Sequence, residues 1–327
     1  MFSLLLAALL LQGHCKADIQ FTQNGHVVGR TDAVPNSWPS QVSLQVFQNN
    51  VWLHICGGSL IRTKWVLTAA HCVDRPSTYR VVLGEHHLFQ NEGTEQAISV
   101  DKVIYHAKWN PIFALNHDIA VLRLATNAVL NNAVQLAKLP SPGVMLSNEY
   151  PCLITGWGAL DGKKAVILQQ APVPVVSHDI CSSFSYRDQQ VKTNMVCAGG
   201  NGIHPGCSAD SGGPLNCPIN GVYEVHGLRS SGSPGCNVDH APGVYTRVST
   251  YLTWINNLLM TPTAKHVEPY KPFYHIGDEQ HFLAISLCYF NFHIRSAWKQ
   301  RPSPSTPKSP KRWRKCKRKM KITILFK

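Results

Sequence analysis

Between Val27 and Leu259 the apolar residues come in short bursts broken by Gly, Pro, Asn and Ser. "SQVSLQVF" (residues 40–47), "WVLTAA" (65–70), "YRVVLG" (79–84), "DIAVLRL" (118–124), "CLITGWG" (152–158) and "GVYEVHGL" (221–228) are rich in β-branched residues and bounded by turn formers. Short strands at this spacing predict an all-β barrel or sandwich. One stretch has a helical period. In "STYLTWINNLLM" (249–260), Leu252, Ile255, Leu258 and Leu259 recur on one face, and Ser249 or Thr250 is placed to cap them.

The two ends have different patterns. "MFSLLLAALLLQG" is an apolar run of signal-peptide length, too short to cross a bilayer, so residues 1–16 are expected to be a signal for secretion; the alternative is an N-terminal core helix. After Met260 the chain becomes Pro-, His- and Ser-rich, then strongly basic, with too little apolar content to offset the entropy of ordering it. Residues 261–327 are therefore expected to be a disordered tail. They hold fifteen of the 31 Lys and Arg but three of the 18 Asp and Glu, which accounts for almost all of the net charge of +13. Any polyanion partner (heparin, nucleic acid or anionic lipid) belongs to the tail, and the near-neutral remainder is not expected to bind nucleic acid.

Eleven cysteines fit an oxidising compartment. Eight of them (Cys56, Cys72, Cys152, Cys181, Cys197, Cys207, Cys217 and Cys236) lie in the β-rich region, enough for four bridges, although spacing leaves their pairing open. No C-x-x-C pair occurs, which argues against structural zinc.

Three local contexts carry chemistry. "LTAAHCV" sets His71 at the end of a β-rich run. "NHDIAVLRL" sets Asp118 at the head of an apolar strand, where a carboxylate is costly unless partnered. "CSADSGGPL" sets Ser211 in a Gly-rich turn. A serine hydroxyl becomes a useful nucleophile only with a base in reach and a third group holding that base's tautomer. The chain order His, Asp, Ser is one in which such a triad occurs.

With these motifs and with "VVG", "SWPSQVSLQ", "HICGGSLI", "PCLITGWG", "VCAGG" and "PGVYTRVSTYLTWIN", residues 27 to about 260 resemble the chymotrypsin family of serine peptidases, most nearly its pancreatic elastase branch. The resemblance implies an all-β fold of two six-stranded antiparallel β-barrels with the active site between them and a C-terminal α-helix. It also implies a division of the chain into signal (1–16), activation propeptide (17–26), peptidase domain (27–260) and tail (261–327), and the bridges Cys56–Cys72, Cys152–Cys217, Cys181–Cys197 and Cys207–Cys236. Cys15 lacks a partner, because Lys138 stands where some relatives carry a cysteine.

Carried over by position, Ser211 attacks the scissile carbonyl, His71 takes its proton and Asp118 orients His71. The main-chain N–H groups of Ala209 and Ser211 hold the oxyanion, and no cofactor is needed for catalysis. The expected product is a secreted, monomeric endopeptidase, made as a zymogen, acting on proteins and peptides and open to proteinaceous inhibitors. On activation Val27 becomes the terminus and pairs with Asp210. Pro205, Arg229, Ser230, Gly232 and Gly243 form the substrate pocket, with an apolar preference implied. "GEHHLFQNEGTEQ" resembles the family's calcium loop, with carboxylates from Glu85, Glu92 and Glu95 and carbonyls from His87 and Gln90; hard oxygen donors suit Ca²⁺, and the alternative is a solvated acidic turn.

Several residues depart from the family. Ala209 replaces a glycine, which costs about 1–2 kcal/mol if φ is positive there. His26 stands at the activation cut, Arg30 replaces a glycine of the inserting segment, Ser231 replaces an aromatic, and Arg229 replaces a small apolar pocket residue. These departures motivate an alternative: a catalytically weakened homologue that binds peptides or inhibitors without appreciable turnover.

Overall fold

The computed structural model describes residues 30–113, 115–160, 163–186, 190–200, 211–231 and 239–260. The expected signal, propeptide and tail lie outside them. A short strand, β1 (Thr31–Asp32), precedes a closed barrel of β2 (Gln41–Gln48), β3 (Val51–Arg62), β4 (Trp65–Thr68), β5 (Tyr79–Leu83), β6 (Gln96–Tyr105) and β7 (Ala120–Leu124), ordered β2-β3-β4-β7-β6-β5. β8 (Pro151–Gly156) opens the second half. The short strands β9 (Ala159–Leu160) and β10 (Lys163–Lys164) pair with each other.

β11 (Gln169–Val176), β12 (Met195–Ala198), β13 (Pro214–Ile219), β14 (Val222–Ser231) and β15 (Gly243–Arg247) follow. With β8 they form a sheet ordered β11-β12-β15-β14-β13-β8, which the β11–β8 pairing closes into a second six-stranded barrel. All pairings among these strands are antiparallel, so the two-barrel fold is as the resemblance implied.

Alternation along β2 shows why its sequence suits this place. Val42, Leu44 and Val46 belong to the first barrel's core, while Gln41, Ser43 and Gln45 are buried on the opposite face. Buried polar groups must be paired. Thr155 Oγ1, on β8, donates to Gln41 Oε1 at 2.7 Å, and Asn216 Nδ2, on β13, donates to Thr155 Oγ1 at 3.1 Å. Polar side chains thus join the two barrels. A second junction is apolar: Ile61, Leu67, Ile119 and Val121 of the first half cluster with Val225, Leu228, Tyr251 and Ile255 of the second.

Among the described residues there are three disulfides: Cys56–Cys72, Cys152–Cys217 and Cys181–Cys197. In the chain-entropy account a loop of sixteen residues such as the first closes is stabilised by about 3 kcal/mol. The fourth expected bridge, Cys207–Cys236, falls on residues outside those described.

The C-terminal helix departs from the expected capping. A 3₁₀ turn over Val248–Thr250 intervenes, and the helix runs Leu252–Met260. Ser249 Oγ donates to Val144 O at 2.9 Å, so its hydroxyl is tied to a distant loop and does not cap the helix. The apolar stripe holds: Leu252 and Ile255 are buried, and Leu258 and Leu259 pack against the same cluster.

Candidate active site

His71 follows β4 in a 3₁₀ turn, Ala70–Cys72, which the Cys56–Cys72 bridge fastens to β3. Asp118 lies just before β7, at the end of a turn where His117 adopts φ 56°. Its side chain is wholly buried, so its charge depends on hydrogen bonds. His71 N donates to Asp118 Oδ1 at 2.9 Å, and His71 Nδ1 to Asp118 Oδ2 at 2.6 Å. Ser230 Oγ also donates to Oδ2, and Thr246 Oγ1 donates to the Asp118 carbonyl at 2.7 Å. A carboxylate only accepts, so the His71 proton sits on Nδ1 and Nε2 keeps its lone pair. The first barrel and the second both hold the same aspartate.

The turn carrying Asp118 has its own support. Tyr251 Oη meets His117 Nδ1 at 2.9 Å and accepts from Asn194 Nδ2 at 2.7 Å, and the same amide nitrogen reaches Asn116 Oδ1 at 3.0 Å. His106 stacks on His117 with centroids 4.8 Å apart. Burial and the neighbouring Lys108 lower the His117 pKa; burial, His117 and Lys108 lower that of His106. Both shifts disfavour the charged form of the rings.

Ser211 opens onto the cleft from a turn wedged between the barrels. Its carbonyl accepts from Gly57 N at 2.8 Å. Gly212 has φ +73°, and a Cβ there would collide with Thr68 Oγ1 and come within 2.9 Å of Gly57 O and 3.0 Å of Ala69 N. Glycine is required here by conformation and by space. On the other side Gly212 N donates to Arg229 O at 2.8 Å, and Arg229 N to Gly213 O at 2.9 Å.

Ser211 and His71 line one cleft of about 600 Å³, together with Cys56, Cys72 and Trp109. Among the described residues no hydrogen bond joins the Ser211 hydroxyl to His71 Nε2, and Nε2 lies 3.7 Å from Cys72 Sγ. Catalytic contacts are often long in the absence of substrate and tighten when it binds. Cys56, His71 and Cys72 are clustered, but both sulfurs belong to the disulfide and cannot ligate a metal as thiolates.

The trypsin family model matches residues 27–255, most of the chain. The chain belongs to the trypsin family. It is 55% identical to chymotrypsin-like elastase family member 1 of Canis lupus familiaris over 255 residues, covering 77% of this chain and 98% of that protein. The Homo sapiens protein of the same name is 53% identical over 255 residues, with 77% and 98% covered. Chymotrypsin-C of Rattus norvegicus is 49% identical over 259 residues, with 77% and 96% covered. Trypsin-family members of this kind are serine endopeptidases, and their chemistry needs no catalytic cofactor.

In this trypsin-family chain the departures noted above have specific surroundings. Arg229 is buried, and its Nη1 donates to Tyr245 Oη at 2.8 Å, with Cζ 5.2 Å from the Tyr245 ring centroid. It lies against Gly243, where a Cβ would collide with Nη1 and sit 3.0 Å from Cζ. Ser230, expected in the substrate pocket, donates through its hydroxyl to Asp118. Arg30 donates from Nε to Gln169 Oε1 at 2.8 Å and from Nη1 to Gly158 O at 3.1 Å. Lys138 is paired with Glu224 at 3.4 Å. Val27, Pro205, Ala209, Asp210 and Gly232 lie outside the described residues.

The acidic loop brings Glu85 near Glu92 and Glu95. Burial, then the charges of Glu95 and Glu92, push the Glu85 pKa up to about 7. Glu92 Oε2 accepts from His87 N at 3.0 Å, and the Glu95 carboxylate accepts from Glu92 N and Gly93 N at 2.6 and 2.8 Å. His87 O accepts from Gln90 N at 3.1 Å. The donors are hard oxygens on a short loop, the type Ca²⁺ takes, and their mutual repulsion is what a cation would relieve.

Proposed function

We propose that the chain is a secreted, monomeric elastase-type serine endopeptidase, made as a zymogen, that hydrolyses peptide bonds of protein substrates through an acyl-enzyme. The observation that carries this reading is the buried Asp118 carboxylate holding His71 by Nδ1, with Ser211 on the same cleft. Ser211 Oγ adds to the scissile carbonyl as its proton passes to His71 Nε2. Asp118 keeps the tautomer and stabilises the imidazolium without taking the proton. The main-chain N–H groups of Ala209 and Ser211 receive the oxyanion. His71 then protonates the departing amine, and water, activated by the same imidazole, releases the acyl group. The three disulfides support an extracellular setting, where proteinaceous inhibitors entering the cleft would be natural partners. The Arg229 guanidinium stands against Gly243, one of the positions of the pocket that the resemblance implies.

Activation requires a new terminus at Val27 to pair with Asp210, and an incomplete buried ion pair is strongly destabilising. A trypsin-like activator does not cut after His26. A His26→Arg chain treated with trypsin, with its Val27 terminus verified by N-terminal sequencing, is expected to react with a fluorophosphonate at Ser211. The same chain carrying Ser211→Ala is expected to remain unlabelled. Failure of the activated chain to label leaves the weakened homologue as the better reading.

The loop of Glu85, Glu92 and Glu95, with the carbonyls of His87 and Gln90, is proposed to hold a structural Ca²⁺. Without the ion, the folded chain binds the Glu85 proton more tightly than the unfolded chain, whose value is near 4.5. Stability from this group is therefore lost as pH rises from about 4.5 to about 7. Thermal melts at pH 8 should shift upward on adding Ca²⁺. Glu85→Gln should raise the melting temperature in chelator at pH 8 but not at pH 4.5, and should blunt the Ca²⁺ response. A parent melt that ignores Ca²⁺ would remove the site.

A further inference from the structure

Among the described residues, the buried guanidinium of Arg229 has no carboxylate to neutralise it. Its side chain meets Tyr245 through one hydrogen bond and the ring face, and among the described residues no acidic group lies within ion-pair distance of it. A buried charge without a counter-charge carries a desolvation cost that a matching ion recovers. Guanidinium presents several planar donors, a geometry suited to a carboxylate held by two parallel hydrogen bonds. The phenol of Tyr245 uses only Nη1.

The position of Arg229 relates this charge to the chemistry. Its main chain is bonded on both sides to the residues that follow Ser211, through Gly212 N and Gly213 O. Along β14 successive side chains point to opposite faces. Ser230 turns to Asp118, and Arg229 turns to Tyr245 and Gly243 on β15. Gly243 is the complement of this arginine, since any side chain there would displace the guanidinium. The arrangement sets a fixed cation within one strand register of the Ser211 turn.

We infer that Arg229 makes this peptidase selective for an acidic side chain, aspartate or glutamate, on the acyl side of the bond it cuts. This rests on the peptidase reading above, and it assigns the substrate class of that same site. The carboxylate of the substrate residue completes the ion pair that the fold leaves open, while Tyr245 keeps the guanidinium oriented for it.

The trypsin-activated His26→Arg chain is tested with peptidyl diphenyl phosphonates that phosphonylate a reactive serine and differ only in the side chain next to phosphorus. Glu and Asp probes are expected to inactivate about a hundredfold faster than Leu or Phe probes, the scale of a buried charge pair against its truncation. Arg229→Val should invert that order, and Arg229→Lys should keep part of it. The comparison on the Arg229 chain requires no variant to fold. Equal or faster labelling by Leu or Phe probes, with fluorophosphonate still reacting at Ser211, overturns the acidic preference and leaves the peptidase intact. No reaction with fluorophosphonate removes the peptidase reading, and the acidic preference with it.

Discussion

Replacing Asp118 with Asn is expected to lower kcat/KM for peptide hydrolysis by about 10⁴, the scale that goes with tautomer loss in triads of this type. The physical cause is local. The carboxylate accepts from His71 N, His71 Nδ1 and Ser230 Oγ. An amide places an N–H₂ among these donors, and the contact can be relieved by moving the His71 proton to Nε2. That nitrogen then carries a hydrogen where it must accept one from Ser211. Substrate binding does not depend on the tautomer, so the loss should fall on kcat with KM little changed, and fluorophosphonate labelling should slow in parallel. A fall of less than about tenfold would mean that His71 takes its orientation from elsewhere.

Gly212→Ala is the second large effect, and it acts on stability as well as rate. A non-glycine residue at φ +73° costs about 1–2 kcal/mol, and forcing a methyl against Thr68 and the main chain of Gly57 and Ala69 adds about 1–3 kcal/mol. A total of about 3 kcal/mol lowers the melting temperature of a domain this size by roughly 10 °C. Any relaxation moves Ser211, so activity should fall with it. Gly221→Ala is the comparison. Gly221 has φ +78° with nothing within 4 Å of a Cβ, so it bears the conformational cost alone and should melt only slightly lower. Calorimetry on the two variants separates strain from collision; equal losses would show that the wedge between the barrels is loose.

Much of the frame was legible in the chain because its signals are local. β2, β4, β5, β7, β8 and β14 each coincide with a β-rich run. β3 was harder to read from its pattern because Gly57 and Gly58 interrupt it. The structure gives Gly58 a reason, since a Cβ there would stand 3.0 Å from Leu67 O. β11 is broken by Pro172 and Pro174, which depress any strand signal. The contexts of His71, Asp118 and Ser211 were visible as motifs. The partners of Asp118 were not: Ser230 lies 112 residues away, and nothing in "RSSG" marks that hydroxyl as a donor to it. Arg229 and Tyr245 are register partners on adjacent strands. Their pairing could be read only once both strands were known.

The shared grip on Asp118 makes enzymatic rate a sensitive gauge of the seam between the two halves. Loosening Gln41, Thr155 or Asn216 alters no reacting group, yet a small slide there pulls the donors of one carboxylate apart. Turnover should then drift while the secondary structure of each half still looks whole, so a remote substitution at the seam would register first as a slower enzyme and only later as an unfolded one.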